Sequence, residues 1–338
     1  MSHAVRLRSM VFGAIVAMTA VSGAQAYAQA NAQPNSQPNP YRTIENWAKL
    51  PEGRTWGQMA ALDVDRQGNI WAVERCEGNT CAGRTEAPIL VFNPSGNLLK
   101  SLGAGLFVFP HGIGIDQDGN VWVTNGQVAN EKGQQVFKFS PDGRVLLALG
   151  KAGVAGDGPD TFNGPSDVAI APNGDIFVGD GHGGDTNARI VKFSKDGKFI
   201  KAWGKRGSAP GEFSTPHSLA FDSRGRLFVA DRENNRIQIF NQDGEFLEQW
   251  KQFGRPSGVF IDKNDVIYVA DSQSDMTRNP EYQRGIRVGS AKDGSVAAFI
   301  PHPNPDPAST AAEGVVVDAR GDIYTAANNT PVTKYVRQ

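Results

Sequence analysis

"FPHGIGIDQDGNVWVTN", residues 109–125, returns further along the chain as "TPHSLAFDSRGRLFVAD", residues 215–231. Each copy sets a Pro-His pair before an apolar stretch, a turn built on Asp and Gly, and a second stretch of large β-formers. Two short strands joined by such a turn read as a β-hairpin. Four more segments align with these two: "AALDVDRQGNIWAVER" from Ala60, "SDVAIAPNGDIFVGDG" from Ser166, "SGVFIDKNDVIYVADS" from Ser257 and "EGVVVDARGDIYTAAN" from Glu313. Successive starts lie 40 to 56 residues apart, and self-similarity at that spacing marks a repeat architecture.

After most hairpins comes a third strand, such as "RIVKFS" or "RIQIFN", then a "DG" turn and a fourth strand, as in "KFIKAWG" and "EFLEQW". Helical periodicity is absent. Four strands per repeat and six repeats predict an all-β chain folded as a six-bladed β-propeller. The last repeat stops after its third strand, "VTKYVRQ", whereas "YRTIENWAKLPEG" ahead of the first repeat resembles a fourth strand. The N-terminal stretch is therefore expected to complete the last blade and close the ring, making residues 41–338 one domain.

The first 28 residues do not belong to that domain. Arg6 and Arg8, the apolar run "VFGAIVAMTAVSG" and small residues around Ala26 and Ala28 form the layout of a signal peptide. An uncleaved anchor is the alternative reading of the same run. Residues 29–40 read as a polar, proline-rich linker. No later segment is apolar enough to span a membrane, so an exported protein, secreted or periplasmic, is expected. The 338 residues carry a formal net charge of −1 without a block of like charge, which leaves no electrostatic footprint for nucleic acid. Cys76 and Cys81 are the only cysteines, and outside the cytosol a local disulfide is their expected state, ahead of a metal pair. A single copy acting on a small molecule or peptide is expected.

In a propeller the innermost strand of each blade lines the channel, and the residue that begins it lies at one mouth. That position reads Ala60, His111, Ser166, His217, Ser257 and Glu313 around the ring. Alternate blades are related by a third of a turn, so His111, His217 and Glu313 should converge on the axis. Two imidazoles and a carboxylate suit a divalent ion, with zinc first and manganese or iron as alternatives. Either histidine alone could instead cap or hydrogen-bond locally. A second ring, after the second strand, reads Arg75, Gly126, Gly181, Arg232, Ser272 and Asn328. Arg75 and Arg232 could grip a carboxylate, or pair with Glu74, Asp231 or Glu233. His182 follows in "GDGHGGD" as an acid–base group or a solvated loop residue. Asp180, Asp231 and Asp271, at strand ends, read as turn residues. His3 and His302 receive no role, and whether the insertion "SQSDMTRNPEYQRGIR" roofs the channel stays open.

The units resemble NHL repeats. More narrowly, the stretch from Pro110 to Asp271 resembles the peptidyl-α-hydroxyglycine α-amidating lyase family, above all in "GEFSTPHSLAFDSRGRLFVADRENNRIQIF". The resemblance implies a six-bladed propeller whose channel zinc is held by three histidines, and cleavage of a peptidyl-α-hydroxyglycine into an amide and glyoxylate. Two zinc histidines carry over to His111 and His217, and the third position falls on Glu313. The catalytic arginine matches Arg75, a second arginine matches Arg232, and the tyrosine proposed as base is His182. The family's structural calcium uses a carboxylate where this chain has Gly314, so calcium does not carry over. A glutamate beside the metal makes it a weaker Lewis acid, and histidine for tyrosine shifts the base's pKa by several units. These departures imply a changed substrate or reaction, or loss of activity. Two other classes remain: a propeller that only binds a protein, peptide or glycan, and a lactonase-like hydrolase, disfavoured because no second channel carboxylate stands at an equivalent repeat position.

Overall fold

A computed structural model describes Met1 and residues 34–304, 306, 311–328 and 330–338. The expected signal segment and residues 29–33 therefore lie, Met1 apart, outside the described residues. Within 34–338 the chain forms one compact unit. Its 24 strands make six four-stranded antiparallel sheets, and one three-residue 3-10 turn, Arg232–Asn234, is the only helical element among the described residues. Blades 1 to 5 span residues 59–102, 109–149, 165–203, 216–250 and 256–301 in simple up-and-down order.

Blade 6 takes its three inner strands from residues 312–337 and its outer strand from Tyr41–Ile44. Tyr41 pairs with Arg337 and Ile44 with Lys334, and Gln338 N–H donates to Pro40 O at 2.8 Å. Ring closure by the N-terminal strand is thus as expected. The first strand of each blade packs on that of the next, and blade 6 returns to blade 1. Every blade except its outer edge is buried on both faces, so the inner strands read as nearly continuous Val, Ile, Phe and Trp. Six apolar clusters result, each lying between blades, such as Trp71 and Ile89 of blade 1 and Phe107 of the connection against Val121, Val123 and Phe139 of blade 2. Residues 34–40 already engage this unit: Arg287 donates to Asn35 Oδ1 at 2.8 Å, and Phe299 N–H to Pro38 O at 3.2 Å.

At the first hairpin turn of five blades an aspartate side chain replaces missing ladder bonds. Asp116 Oδ1, for instance, accepts from Asp118 N–H at 3.0 Å and Asn120 N–H at 2.9 Å, while Gly119 supplies the left-handed residue, φ 81°. Strand-end aspartates act at the opposite end. Asp180 accepts from Asn163 N–H at 2.8 Å, Asp231 from Ser214 N–H at 2.6 Å and Asp271 from Arg255 N–H at 3.0 Å, tying each blade to the chain that enters it. Arg189, Arg236 and Arg287 neutralise the three carboxylates.

Candidate metal centre at the channel mouth

Each blade carries a register shift between its first two strands. In blade 4 Pro216 pairs with Asp231 and Ser218 with Ala230, which leaves His217 as the extra residue. The same irregularity falls at His111–Gly112, at Ser166 and Ser257, and at Ala60 and Glu313. A bulge breaks the inward–outward alternation and re-aims one side chain. Here it points the position that begins each strand at the mouth of the channel.

His111 and His217 are both 2% exposed. Nδ1 of His111 donates to Ser166 O at 2.7 Å, and Nδ1 of His217 donates to Ser257 O at 2.7 Å, each in the following blade. A carbonyl only accepts, so both rings are fixed as Nδ1–H tautomers with a bare Nε2 lone pair turned inward. Burial first, then the neighbouring positive groups, holds both imidazoles well below their usual pKa and therefore neutral. Glu313 Oε2 lies 4.0 Å from His111 Nε2 and 3.8 Å from His217 Nε2. Its other oxygen faces Arg232 Nη1 at 3.9 Å.

His182, from the loop after the second strand of blade 3, enters the same group. Its ring centroid is 4.3 Å from that of His111 and 5.1 Å from that of His217. The ligand nitrogens of the three histidines lie within 4.8 Å of one another. All three Nε2 atoms are buried without a hydrogen-bond partner. Buried polar atoms are nearly always partnered, so three imidazole nitrogens left open beside one another fit a divalent cation.

Arg75 and Arg232 flank this point at 4% and 7% exposure. Arg75 Nη1 donates to Asn79 Oδ1 at 2.9 Å and Gln58 Oε1 at 3.3 Å, and its guanidinium stacks 4.0 Å over Phe109. Its Nε and Nη2 have no partner. That free edge is the two-pronged face that matches a carboxylate. Burial pulls Arg75 down to about 10, against the attraction of Glu313, and it stays charged at neutral pH. Cys76 and Cys81 are joined by a disulfide directly after Arg75, as expected from their spacing.

Sequence reasoning missed three further residues. Arg255 is 3% exposed and donates to Arg232 O and Asn235 Oδ1, both at 3.1 Å, and to Glu233. It sits two residues before the strand-start position, in register with Gln58 and Phe109, and that repeat position was the available signal. Asp63 and Asp167 line the channel cavity of about 310 Å³ together with the first strands of all six blades. They stand at different offsets within their repeats, which hid them. Asp63 accepts from Val64 and Ile115, Asp167 from Val168 and Leu219. The insertion in blade 5 contributes nothing to that cavity's lining. It meets the mouth through Ser272, whose hydroxyl hydrogen-bonds that of Ser257 at 2.6 Å, through Gln273, which accepts from Arg255, and through Arg278 O, which accepts from Asn235.

The fold defines a class: this chain is a six-bladed β-propeller, and an NHL repeat is matched at residues 213–240. Its relatives are narrower in kind. Peptidyl-glycine alpha-amidating monooxygenase of Mus musculus is 45% identical over 202 residues, covering 53% of this chain and 20% of that protein. A probable peptidyl-alpha-hydroxyglycine alpha-amidating lyase of Caenorhabditis elegans is 32% identical over 197 residues, covering 53% of this chain and 54% of its own. The matched part thus spans about half or less of these relatives. A gluconolactonase from Xanthomonas campestris superposes with a TM-score of 0.58 at 17% identity, over 90% of this chain and 97% of that one, a likeness of fold alone.

Proposed function

We propose that the protein is an exported, metal-dependent lyase that cleaves the C–N bond of an α-hydroxyglycine-type carbinolamide or a related small substrate. The observation that carries this reading is the meeting of three partnerless imidazole nitrogens, a glutamate and two buried arginines at one mouth of the channel. The relatives named as amidating lyases support it.

The substrate's carboxylate would lie on the open Nε–Nη2 edge of Arg75, with Arg232 completing the positive pocket. That grip orients the adjacent hydroxyl-bearing carbon toward the histidines. Cleavage requires the hydroxyl to lose a proton as its carbon becomes a carbonyl. The C–N electron pair leaves with the amide nitrogen, which takes up a proton, so the products are an amide and glyoxylate with no net proton released. Glu313 is the proton-accepting side chain on the side of the site that faces Arg232. A bound divalent ion, zinc first among the fitting metals, would supply positive charge against the oxygen that becomes the carbonyl.

Incubating the purified protein with a peptidyl-α-hydroxyglycine in the presence of zinc, manganese or iron should release glyoxylate above the uncatalysed rate. No release with any of the three ions sinks the lyase reading. Among the described residues no helix is long and apolar enough to cross a membrane. Export is tested by sequencing the N-terminus of the protein recovered outside the cytosol, where removal of residues 1–28 is expected.

A further inference from the structure

Four potential donors surround the mouth, and they are not arranged evenly. His111, His182 and His217 come from the consecutive blades 2, 3 and 4 and pack ring against ring. Glu313 comes from blade 6 on the other side, and its Oε1 faces Arg232. We propose that His182 is a nitrogen donor to the cation, completing a His111–His182–His217 face, while Glu313 stands opposite that face as the carboxylate between the cation and the arginines. This rests on the mouth being a cation site, and it goes beyond that reading by assigning the donor set.

Three observations separate a ligand role from a proton-carrying one at His182. Its Nε2 is buried with no hydrogen-bond partner, and a proton carrier needs a partner through which the proton leaves, whereas a ligand needs only a lone pair. Its ring is walled by Phe109, 5.4 Å away, and by the two other imidazoles. Its loop is also pinned. Thr186 Oγ1 donates to Gly183 O at 2.6 Å, Arg206 Nη2 donates to Gly184 O at 2.7 Å and Thr186 O at 2.8 Å, and Asn187 Nδ2 donates to Asp180 Oδ2 at 2.7 Å. The tight path needs glycine at 183 and 184, with φ of 77° and 54°. A loop held at so many points presents its histidine at a fixed place, as a ligand must be.

The distances suit closure on an ion. With metal–nitrogen bonds of about 2.0–2.1 Å, tetrahedral neighbours stand roughly 3.4 Å apart. The three nitrogens, within 4.8 Å of one another, need side-chain shifts on the order of 1 Å to reach that spacing. Three neutral nitrogens also leave the ion's charge intact, whereas the carboxylate already has Arg232 and Arg75 as its counter-charges.

The test uses the full chain, stripped of metal and titrated with cobalt(II) while absorption is followed. His182→Cys is the decisive variant. Cys76 and Cys81 are bonded to each other, so a thiolate-to-cobalt charge-transfer band in this variant reports a metal–sulfur bond at position 182 and nowhere else. The band is expected. His182→Ala should weaken cobalt binding by more than about 100-fold, and Glu313→Gln by less than about 10-fold. Melting without metal checks that each variant folds, and the cysteine variant decides the matter if the alanine variant does not fold. No band in His182→Cys, or a larger affinity loss in Glu313→Gln than in His182→Ala, overturns the proposal. Failure of the unaltered protein to bind cobalt or zinc would instead bring down the cation site itself.

Discussion

The two ends of the propeller treat their polar atoms in opposite ways. At the hairpin end, Asp65 uses both oxygens on four donors: the N–H groups of Gln67 and Asn69, the Asn69 amide and the Trp71 indole. Asp116, Asp222, Asp262 and Asp318 repeat the device in four other blades. At the mouth, Nε and Nη2 of Arg75 and Nε2 of three histidines are buried with no hydrogen-bond partner, while Nε of Arg232 is left with an ion pair to Glu233 at 3.4 Å. Each buried polar atom left open costs about 1–3 kcal/mol. The hairpin end contributes stability and the mouth gives some of it up. Such local conflict is what a functional site looks like when the rest of a fold is self-consistent.

The strongest way to break this contrast is to empty the mouth. His111→Ala with His217→Ala should abolish divalent-ion binding, by at least about 1,000-fold in calorimetric titration. The metal-free variant should melt close to the metal-free parent, since removing two unpartnered Nε2 atoms offsets the loss of the Nδ1 bonds to Ser166 O and Ser257 O. A clear drop in that melting temperature would mean that the histidines serve the fold. The reciprocal change is Asp222→Ala, which strips two backbone N–H groups and Arg226 of their acceptor. It should lower unfolding free energy by about 3 kcal/mol in denaturant titration and leave metal affinity unchanged.

The disulfide lies between these extremes, because it belongs to the fold and holds a mouth residue. Replacing both Cys76 and Cys81 by serine should cost about 2 kcal/mol, as expected for a short closed loop. It should also raise KM for a carboxylate substrate several-fold more than it lowers kcat, because the loop after Arg75 is freed. Equal effects on the two constants would place the disulfide's role outside substrate binding.

The smallest effect concerns the channel wall. Burial pushes the carboxyls of Asp63 and Asp167 up to about 7 from an ordinary 3.8, against the hydrogen bonds each accepts from backbone N–H groups. A carboxyl raised on folding adds stability that is complete below the unfolded value and is lost as pH rises toward the folded one. The urea midpoint should therefore fall between pH 4 and pH 7 more steeply in the parent than in Asp167→Asn. Comparing the two cancels the opposite contribution of the buried imidazoles, which are held neutral in the fold. Parallel profiles would show that Asp167 titrates in the ordinary range.

Much of this molecule is legible in its sequence. Alternating apolar residues, Asp–Gly turns and a recurring spacing are local signals, and they account for the blades, their number and the strand that closes the ring. The repeat register also singled out His111, His217, Glu313, Arg75 and Arg232, because equal positions in equal blades reach equal places. His182 was noticed for its chemistry but not for its meeting with the other histidines. It sits on an irregular loop whose path depends on Arg206, Thr186 and Asn187. Arg255 and the two channel aspartates escaped notice because the repeat pattern marks elements and not the contacts between blades.

The sequence alone determined that there would be six similar blades, where each would turn, and which residue would begin each inner strand. Only the tertiary structure decided what those beginnings do. A bulge turns the extra residue of each blade inward, a carbonyl from the next blade fixes the tautomers of His111 and His217, and curvature brings residues 35 to 202 positions apart to one point. The reason is physical. Repeats are written by short-range backbone preferences, whereas convergence at an axis depends on how blades pack on one another around a closed circle.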